Sequence, residues 1–230
     1  MSLVLLPKHP KVAVKIRRSA RAKQITLRVS SIDGRVSVTA PSRVPRLDIE
    51  GFILKKEAWI RKKISEVPEQ VDVNFYTVIP IRGVFSIIVP GFGKGFKISA
   101  NKLYLPHKIK KPKASTLAFL RVLARDQIVK EADFYAEKLD SRYASISLRD
   151  TKSRWGSCNG LGAIMFSWRL IMAPPKVLSY VVAHEVAHLK HMNHSDAFWT
   201  ELHDLFGDFH AQRDWLDKNG ATLHKYKFKD

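Results

Sequence analysis

A histidine pair at helical spacing, His184 and His188, is the feature of this sequence that most limits its fold. The segment around the pair is largely apolar, and Pro174-Pro175 precedes it. Proline suits a first helical turn, whose N–H groups lack intrahelical partners, so we predict a helix over about 175–192. Residues four apart lie about 40° apart around a helix and one turn along it. Both imidazoles can therefore reach one metal ion, with Glu185 beside them as in the HExxH motif.

A third ligand has to come from outside the pair, because a catalytic zinc takes three protein ligands and leaves one position open. His194 and His191 are the nearby candidates. On an unbroken helix, the Cα atom of His191 would lie about 10.5 Å along the axis from that of His184. Asn193 tolerates the left-handed backbone that ends helices, and a reversal at 192–195 would return His194 to the metal. We therefore favour His194. Three acidic residues remain alternatives, as ligands or as groups that orient a ligand: Glu201, Asp204 and Asp208.

Positive charge is concentrated near the N-terminus. The 230 residues include 40 Lys and Arg against 21 Asp and Glu, a formal net charge of +19. Residues 1–66 alone hold sixteen Lys and Arg against five Asp and Glu. This N-terminal charge is typical of a surface that binds nucleic acid, nucleotides or other polyanions. It is equally typical of a solvated surface, since no nucleic-acid-binding motif accompanies the charge.

Composition excludes several classes of protein. A single cysteine, Cys158, excludes an intrachain disulfide, a Cys-rich zinc finger and an iron–sulfur cluster. The hydrophobic fraction of 45% is typical of a globular chain rather than a disordered one. The N-terminal apolar run Leu3–Leu6 is too short for a signal or membrane-spanning segment. We therefore expect a cytoplasmic protein with no membrane partner.

Apolar alternation predicts strands in the first half of the chain, with one helix over about 46–66. The strand-like runs are 12–16, 25–29, 36–38 and, further along, several within 73–105. The basic, proline-flanked segment 106–113 resembles a linker. We therefore predict a basic β-rich region with one helix over 1–110 and a second domain over 111–230.

The second domain is predicted to be mostly helical. Helical spacing of apolar residues covers about 114–139, 175–192, 195–206 and 209–219. Two strands, 146–148 and 163–168, enclose a loop at 153–162. The expected fold class is α+β, with a basic, strand-rich N-terminal part followed by a mostly helical part that holds a small sheet.

Several motifs surround the histidine pair. They are Arg154-Trp155-Gly156-Ser157-Cys158, Phe166–Leu170, Pro174-Pro175, Tyr180–Leu189, Asn193–Ser195 and Phe198-Trp199. Together they resemble the YgjP-like metallopeptidase family, relatives of the SprT-like zinc proteases. The similarity is densest over 149–199 and weaker at Arg17–Lys23 and Ala58–Ile60. The resemblance implies a zincin-like catalytic part with one Zn²⁺, with Glu185 as general base. It also implies the metal ligands: His184, His188 and His194.

Three further residues are candidate contacts for substrate or for a developing oxyanion. Arg154 precedes a strand expected beside the helix of the histidine pair, where a cation would stabilise negative charge; a packed loop is the alternative. Tyr180 lies one turn before His184 and could donate a hydrogen bond, with a core position as the alternative. His191 could line the site or face solvent. We expect packing or turn roles for the other motif residues: Trp155, Gly156, Cys158, Phe198 and Trp199.

These patterns predict a zinc-dependent hydrolase and, with the resemblance, a metallopeptidase that acts on peptide or protein substrates. Metal-activated water would attack the carbonyl, and Glu185 would remove the proton of that water. One alternative is a metal-dependent phosphohydrolase of nucleoside triphosphates, because activated water also attacks phosphorus. The other is a nucleic-acid-binding protein in which the basic N-terminal region binds and the metal site is structural.

Overall fold

The computed structural model describes residues 2–7 and 10–228. The chain divides into two compact units, Met1–Glu69 and Gln70–Asp230. This division falls earlier than the boundary after residue 110 that the sequence suggests. The reason is that residues of the later strands, such as Ile79 and Leu103, share one core with Leu120 and Ile128 of the following helix. The extent of a separate catalytic domain stays a prediction.

The first unit is a four-stranded sheet with two helices. Its elements are β1 (Ser2–Leu6), β2 (Val12–Ser19), β3 (Thr26–Val29), β4 (Val36–Pro41), α1 (Arg46–Lys55) and α2 (Glu57–Ser65). The sheet order is β1-β2-β4-β3, and β2 and β4 are parallel. Alternate residues of the strands, Val14 and Val38 among them, pack with Ile53 and Ile60 of the helices. The helix predicted over 46–66 is two helices, because the backbone at Lys56 departs from helical geometry.

The second unit combines helices with three small sheets. Its strands are β5 (Val71–Asp72), β6 (Val78–Ile81), β7 (Val84–Pro90), β8 (Lys97–Ser99), β9 (Lys102–Leu105), β10 (Ser145–Arg149), β11 (Gly156–Cys158), β12 (Ala163–Ser167) and β13 (Tyr226–Lys227). Its helices are α3 (Pro112–Lys138), α4 (Pro175–Ala187), α5 (Asp196–Phe206) and α6 (His210–Asn219), with 3₁₀ turns at Trp168–Met172 and Gly220–His224. The sheet orders are β6-β7-β9-β8, β10-β12-β11 and β13-β5. The α+β class is confirmed.

The sheet that borders the histidine helix contains a strand that the sequence does not predict. β11 lies inside the predicted loop 153–162 and pairs antiparallel with β12, with Gly156 opposite Phe166 and Cys158 opposite Ile164. β12 pairs with β10 on its other side, so β11 is an edge strand. Three residues gave too short a run for alternation to predict this strand.

A buried arginine fixes the C-terminal segment to this sheet. The Arg169 guanidinium donates to both carboxylate oxygens of Asp150, at 2.6 and 3.2 Å, and to the carbonyls of Leu223 and Tyr226, at 2.8 and 3.1 Å. The same guanidinium lies 4.7 Å from the centre of the Trp168 ring.

No helix in the described part of the chain is long and apolar enough to cross a membrane.

Candidate metal centre

The histidine helix ends earlier than the sequence predicts. α4 ends at Ala187 and His188 is its C-cap, whereas the predicted helix extends to about 192. The backbone N–H groups of Leu189, Lys190 and His191 bond back to Val186 and Ala187, which closes a turn. The next helix begins at Asp196. The early end leaves the eight residues 188–195 between the two helices, and the chain reversal within them carries His194 back to α4.

Three imidazoles converge where the chain reverses. One nitrogen from each of His184, His188 and His194 lies within 4.8 Å of the others. The Nε2 atoms of His184 and His194 are 3.1 Å apart. His191 is outside this trio, and its Nε2 lies 3.6 Å from Oε2 of Glu201. The structure thus brings together the three histidines that the sequence favours.

His191 contributes its backbone rather than its ring. The Nδ1–H of His188 donates to the carbonyl oxygen of His191 at 2.8 Å. A carbonyl can only accept, so this bond places the proton on Nδ1 and leaves the lone pair on Nε2. Such a bond orients a ligand imidazole in many metal sites.

Burial keeps two of the histidines neutral. Burial, together with the positive charges of the neighbouring His188, His194 and Arg213, lowers the pKa of His184 to about 3. Burial also lowers the pKa of His188, although its bond to the His191 carbonyl opposes this. Neutral imidazoles have a free lone pair for a metal at pH 7.

An aromatic ring contacts all three imidazoles. Phe198 is fully buried, and its ring centre lies 4.9, 4.5 and 4.8 Å from those of His184, His188 and His194. It stacks on His188 and meets the other two edge-on. Packing on three sides of one rigid ring limits how far each imidazole can rotate.

Glu185 is enclosed by the edge strand. Its side chain is 7% exposed, and burial raises its pKa to about 8, against the opposing effects of the Cys158 backbone hydrogen bond and of Arg154. A Cβ atom at position 156 would lie 2.5 Å from both Cγ and Oε1 of Glu185. Any side chain at position 156 would therefore overlap Glu185. This close contact, and not the turn that the sequence suggests, explains why a glycine is needed here.

The histidines and Glu185 open into a cleft of about 520 Å³. The edge strand and the loop before it form one wall, which includes Arg154 and Cys158, and the reversal adds Met192 to the other. Arg154 is exposed, and its positive charge lowers the pKa of Glu185. The cleft thus presents three imidazoles, one carboxyl group and one guanidinium.

Comparison with known proteins identifies the family. The model of the YgjP-like metallopeptidase domain matches residues 23–219. The chain belongs to the YgjP-like metallopeptidase family. The match extends over parts of both units of the protein, and it supports a metal-dependent peptidase that acts on peptides.

Other comparisons with this YgjP-like chain are weaker. No curated protein matches it. Among solved structures, the metallopeptidase zymogen of Pyrococcus abyssi abylysin is 20% identical, with a TM-score of 0.37, and the alignment covers 42% of this chain and 94% of that one. At that level the structural likeness carries no argument.

A metal ion is implied for a YgjP-like metallopeptidase, and the donor set fits one. Two nitrogens bound to one tetrahedral zinc at 2.0–2.1 Å would lie about 3.3 Å apart. The 3.1 Å between the Nε2 atoms of His184 and His194 is close to that value. Without a cation between them, two neutral nitrogens at this distance can share at most one proton. Three imidazole nitrogens are a donor set that zinc prefers.

The structure also places the remaining candidates. Tyr180 is 6% exposed and packs edge-on against His184 and face-on against Phe209, and it is not among the residues that line the cleft. The acidic alternatives also lie outside the trio and are the nearest partners of other histidines. Glu201 lies near His191, Asp204 near His203, and Asp208 near His210.

Sequence reasoning missed two supporting residues. Phe198 was assigned to general packing and Gly156 to a turn, yet they contact the three imidazoles and Glu185 respectively. Both residues lie in the motifs that surround the histidine pair, and that position is the one sequence signal that could have singled them out. No spacing rule connects either residue with the side chain it contacts.

Proposed function

We propose that this chain hydrolyses peptide bonds with one zinc ion held by His184, His188 and His194, and with Glu185 as general base. The observation that carries the proposal is the convergence of three imidazole nitrogens within 4.8 Å at the cleft that Glu185 also lines. A zinc ion held by these residues would supply a water of lowered pKa and would polarise the scissile carbonyl.

The chain's own residues handle the proton and the developing charge. Glu185, in its ionised form, accepts a proton from the attacking water and delivers it to the leaving amine. Burial raises its pKa to about 8, and a metal cation held beside it would lower that pKa and favour the ionised form. Its fixed position against Gly156 and the Cys158 backbone aims the carboxylate into the cleft. Arg154, exposed on the cleft wall, stabilises negative charge on the carbonyl oxygen. His191 orients His188 through its carbonyl, and Tyr180 supports His184 from the core.

The test compares metal content with hydrolysis in the full-length protein. Elemental mass spectrometry should find about one zinc per chain, and Glu185→Gln should keep it while hydrolysis of a peptide library falls by about 10²–10⁴-fold. His194→Ala should lose the zinc. Glu201→Gln, a neighbouring carboxyl group outside the trio, is the matched control and should keep both zinc and activity.

Two results would contradict the proposal. One is a wild-type chain that binds no zinc even after zinc is added. The other is undiminished turnover in Glu185→Gln. Turnover of a nucleoside triphosphate, lost in His184→Ala and without peptide hydrolysis, would favour the phosphohydrolase alternative. The cytoplasmic location stays a prediction.

A further inference from the structure

The outward face of the first unit's sheet is positively charged. Along β2, Val12, Val14 and Ile16 are buried, so the alternate residues Lys15 and Arg17 are exposed on the other face. In β3, Arg28 is exposed in the same way, beside the partly buried Leu27 and Val29. The helices α1 and α2 contribute to the core on the buried side. The outward face is left to solvent.

Strand register brings these cations together. Lys15, Ser37 and Arg28 form one row across β2, β4 and β3, and Arg17, Thr39 and Thr26 form the next. Neighbouring strands lie about 4.8 Å apart and alternate residues about 6.7 Å apart along a strand. The Cα atoms of the three cations therefore lie within about 12 Å of one another, with hydroxyl groups between them. We call Lys15, Arg17, Arg28, Ser37 and Thr39 the basic sheet face.

Among the residues that the structure describes, no carboxylate forms an ion pair with Lys15, Arg17 or Arg28 of the basic sheet face. The outward strand positions that the structure describes carry no Asp or Glu. Four of the six acidic residues of this unit pair elsewhere: Asp33 with Arg35, Glu50 with Arg46, Glu57 with Arg61, and Glu66 with Lys63. Like charges on neighbouring strands repel one another, so an anion bound across the two rows would reduce the electrostatic repulsion among these cations.

We propose that the basic sheet face binds the phosphodiester backbone of duplex nucleic acid. Lysine, arginine and hydroxyl side chains are the groups that contact phosphates in such complexes. The described outward positions include no aromatic residue, so unpaired bases would find no ring to stack on, which favours a duplex over a single strand. The face also lacks the Trp and Tyr that anchor proteins at lipid headgroups, although Leu3 and Leu5 of β1 border it.

Salt dependence of binding tests the proposal. Fluorescence anisotropy with a 20-base-pair DNA duplex and a matched RNA duplex, from about 50 to 200 mM salt, gives the slope of log K against log salt. Each phosphate contact contributes about −0.9 to that slope. The slope should therefore become less negative by about 2.7 in the triple variant Lys15→Gln/Arg17→Gln/Arg28→Gln, and by about 0.9 in each single variant.

The matched control removes the same charge from the other side of the sheet. Lys55→Gln/Lys56→Gln/Lys62→Gln changes three exposed lysines of the α1–α2 segment and should leave the slope nearly unchanged. Equal losses in the two triple variants would overturn the proposal in favour of general charge attraction. So would tighter binding to a single strand than to the duplex, or binding to vesicles of anionic lipid alone.

Two controls distinguish weaker binding to nucleic acid from misfolding and from loss of the metal. The single variants change one exposed side chain each, and circular dichroism checks that they fold, so they test the face even if the triple variant unfolds. A chelator that removes the metal should not change the salt slope. The proposal therefore stands or fails independently of the proposed peptidase activity.

Discussion

The two units of the protein differ in whether their charged side chains lie at the surface or in the interior. In the first unit, the described buried side chains are apolar, and its many charges lie at the surface. In the second unit, the interior holds four side chains that can carry a charge. These buried side chains are Arg169, Glu185, His188 and His224. Burial of a charge is costly unless the group is paired or changes its protonation.

Each buried group of the second unit meets that cost in its own way. Arg169 is paired with Asp150 and two carbonyls. Burial shifts the pKa of Glu185 upward and those of His188 and His224 downward, towards the neutral forms. The charged groups of the first unit stay at the surface in contact with water, so they meet no such cost. The comparison teaches that single substitutions should have large local effects in the second unit and small, additive ones in the first.

The largest expected effect is on stability, at Arg169. Arg169→Leu leaves the Asp150 carboxylate and the carbonyls of Leu223 and Tyr226 without their donor. Unfolding free energy should fall by about 3 kcal/mol, measured by urea denaturation. The matched change in the first unit, Arg17→Leu, removes an exposed guanidinium and should stay within about 0.5 kcal/mol. Equal losses would break the comparison.

The next effect is on catalysis, at Gly156. In Gly156→Ala the new methyl group would overlap Glu185, which must move out of its position against β11. We expect peptide hydrolysis to fall by about 10²-fold while the zinc content is unchanged, because the displaced group is the general base and not a ligand. Gly160→Ala, where nothing lies within 4 Å of the added Cβ, is the control. Full activity in Gly156→Ala would contradict the role given to this contact.

The sequence predicted the parts of the site that depend on local spacing. His184 and His188 lie one helical turn apart, and the reversal before α5 followed from Asn193 and the start of the next helix. The position of Glu185 followed from the same helix. These contacts join residues about ten positions apart or fewer, where the geometry of the helix limits the possible positions of the side chains.

The rest of the site depends on pairings that are distant in sequence. β11 forms only because β12 offers it a partner, and this places Gly156 against Glu185. The single predicted helix over 46–66 broke at Lys56, and the core joined 78–105 to α3 instead of ending before it. No local pattern contains these contacts, since apolar periodicity identifies a buried face but not the element that covers it.

A smaller effect should appear in metal affinity, at Phe198. Phe198→Leu removes the ring that contacts all three histidines, so the imidazoles gain freedom that metal binding must then restrict. Zinc affinity, measured by competition with a chelator, should fall by about 10-fold, as for other groups that orient ligands. Phe209→Leu is the control, because Phe209 is similarly buried but stacks on Tyr180 and Trp199. If both variants lose the same affinity, Phe198 acts only through stability.

The smallest effect concerns pH, at His224. Burial lowers the pKa of His224 to about 4, helped by the charges of Arg169 and Lys152 and opposed by that of Asp150. The unfolded chain binds the proton below about pH 6.5, whereas the folded chain does so only near pH 4, so this histidine lowers stability as the pH falls through that window. Between pH 7 and pH 6, His224→Gln should therefore lose about 0.7 kcal/mol less unfolding free energy than wild type, measured by urea denaturation. Lys15→Gln in the first unit is the control and should leave the pH dependence of stability unchanged. If His224→Gln shows the same pH dependence as wild type, the prediction is wrong, because His224 then has the same pKa in the folded and unfolded chain.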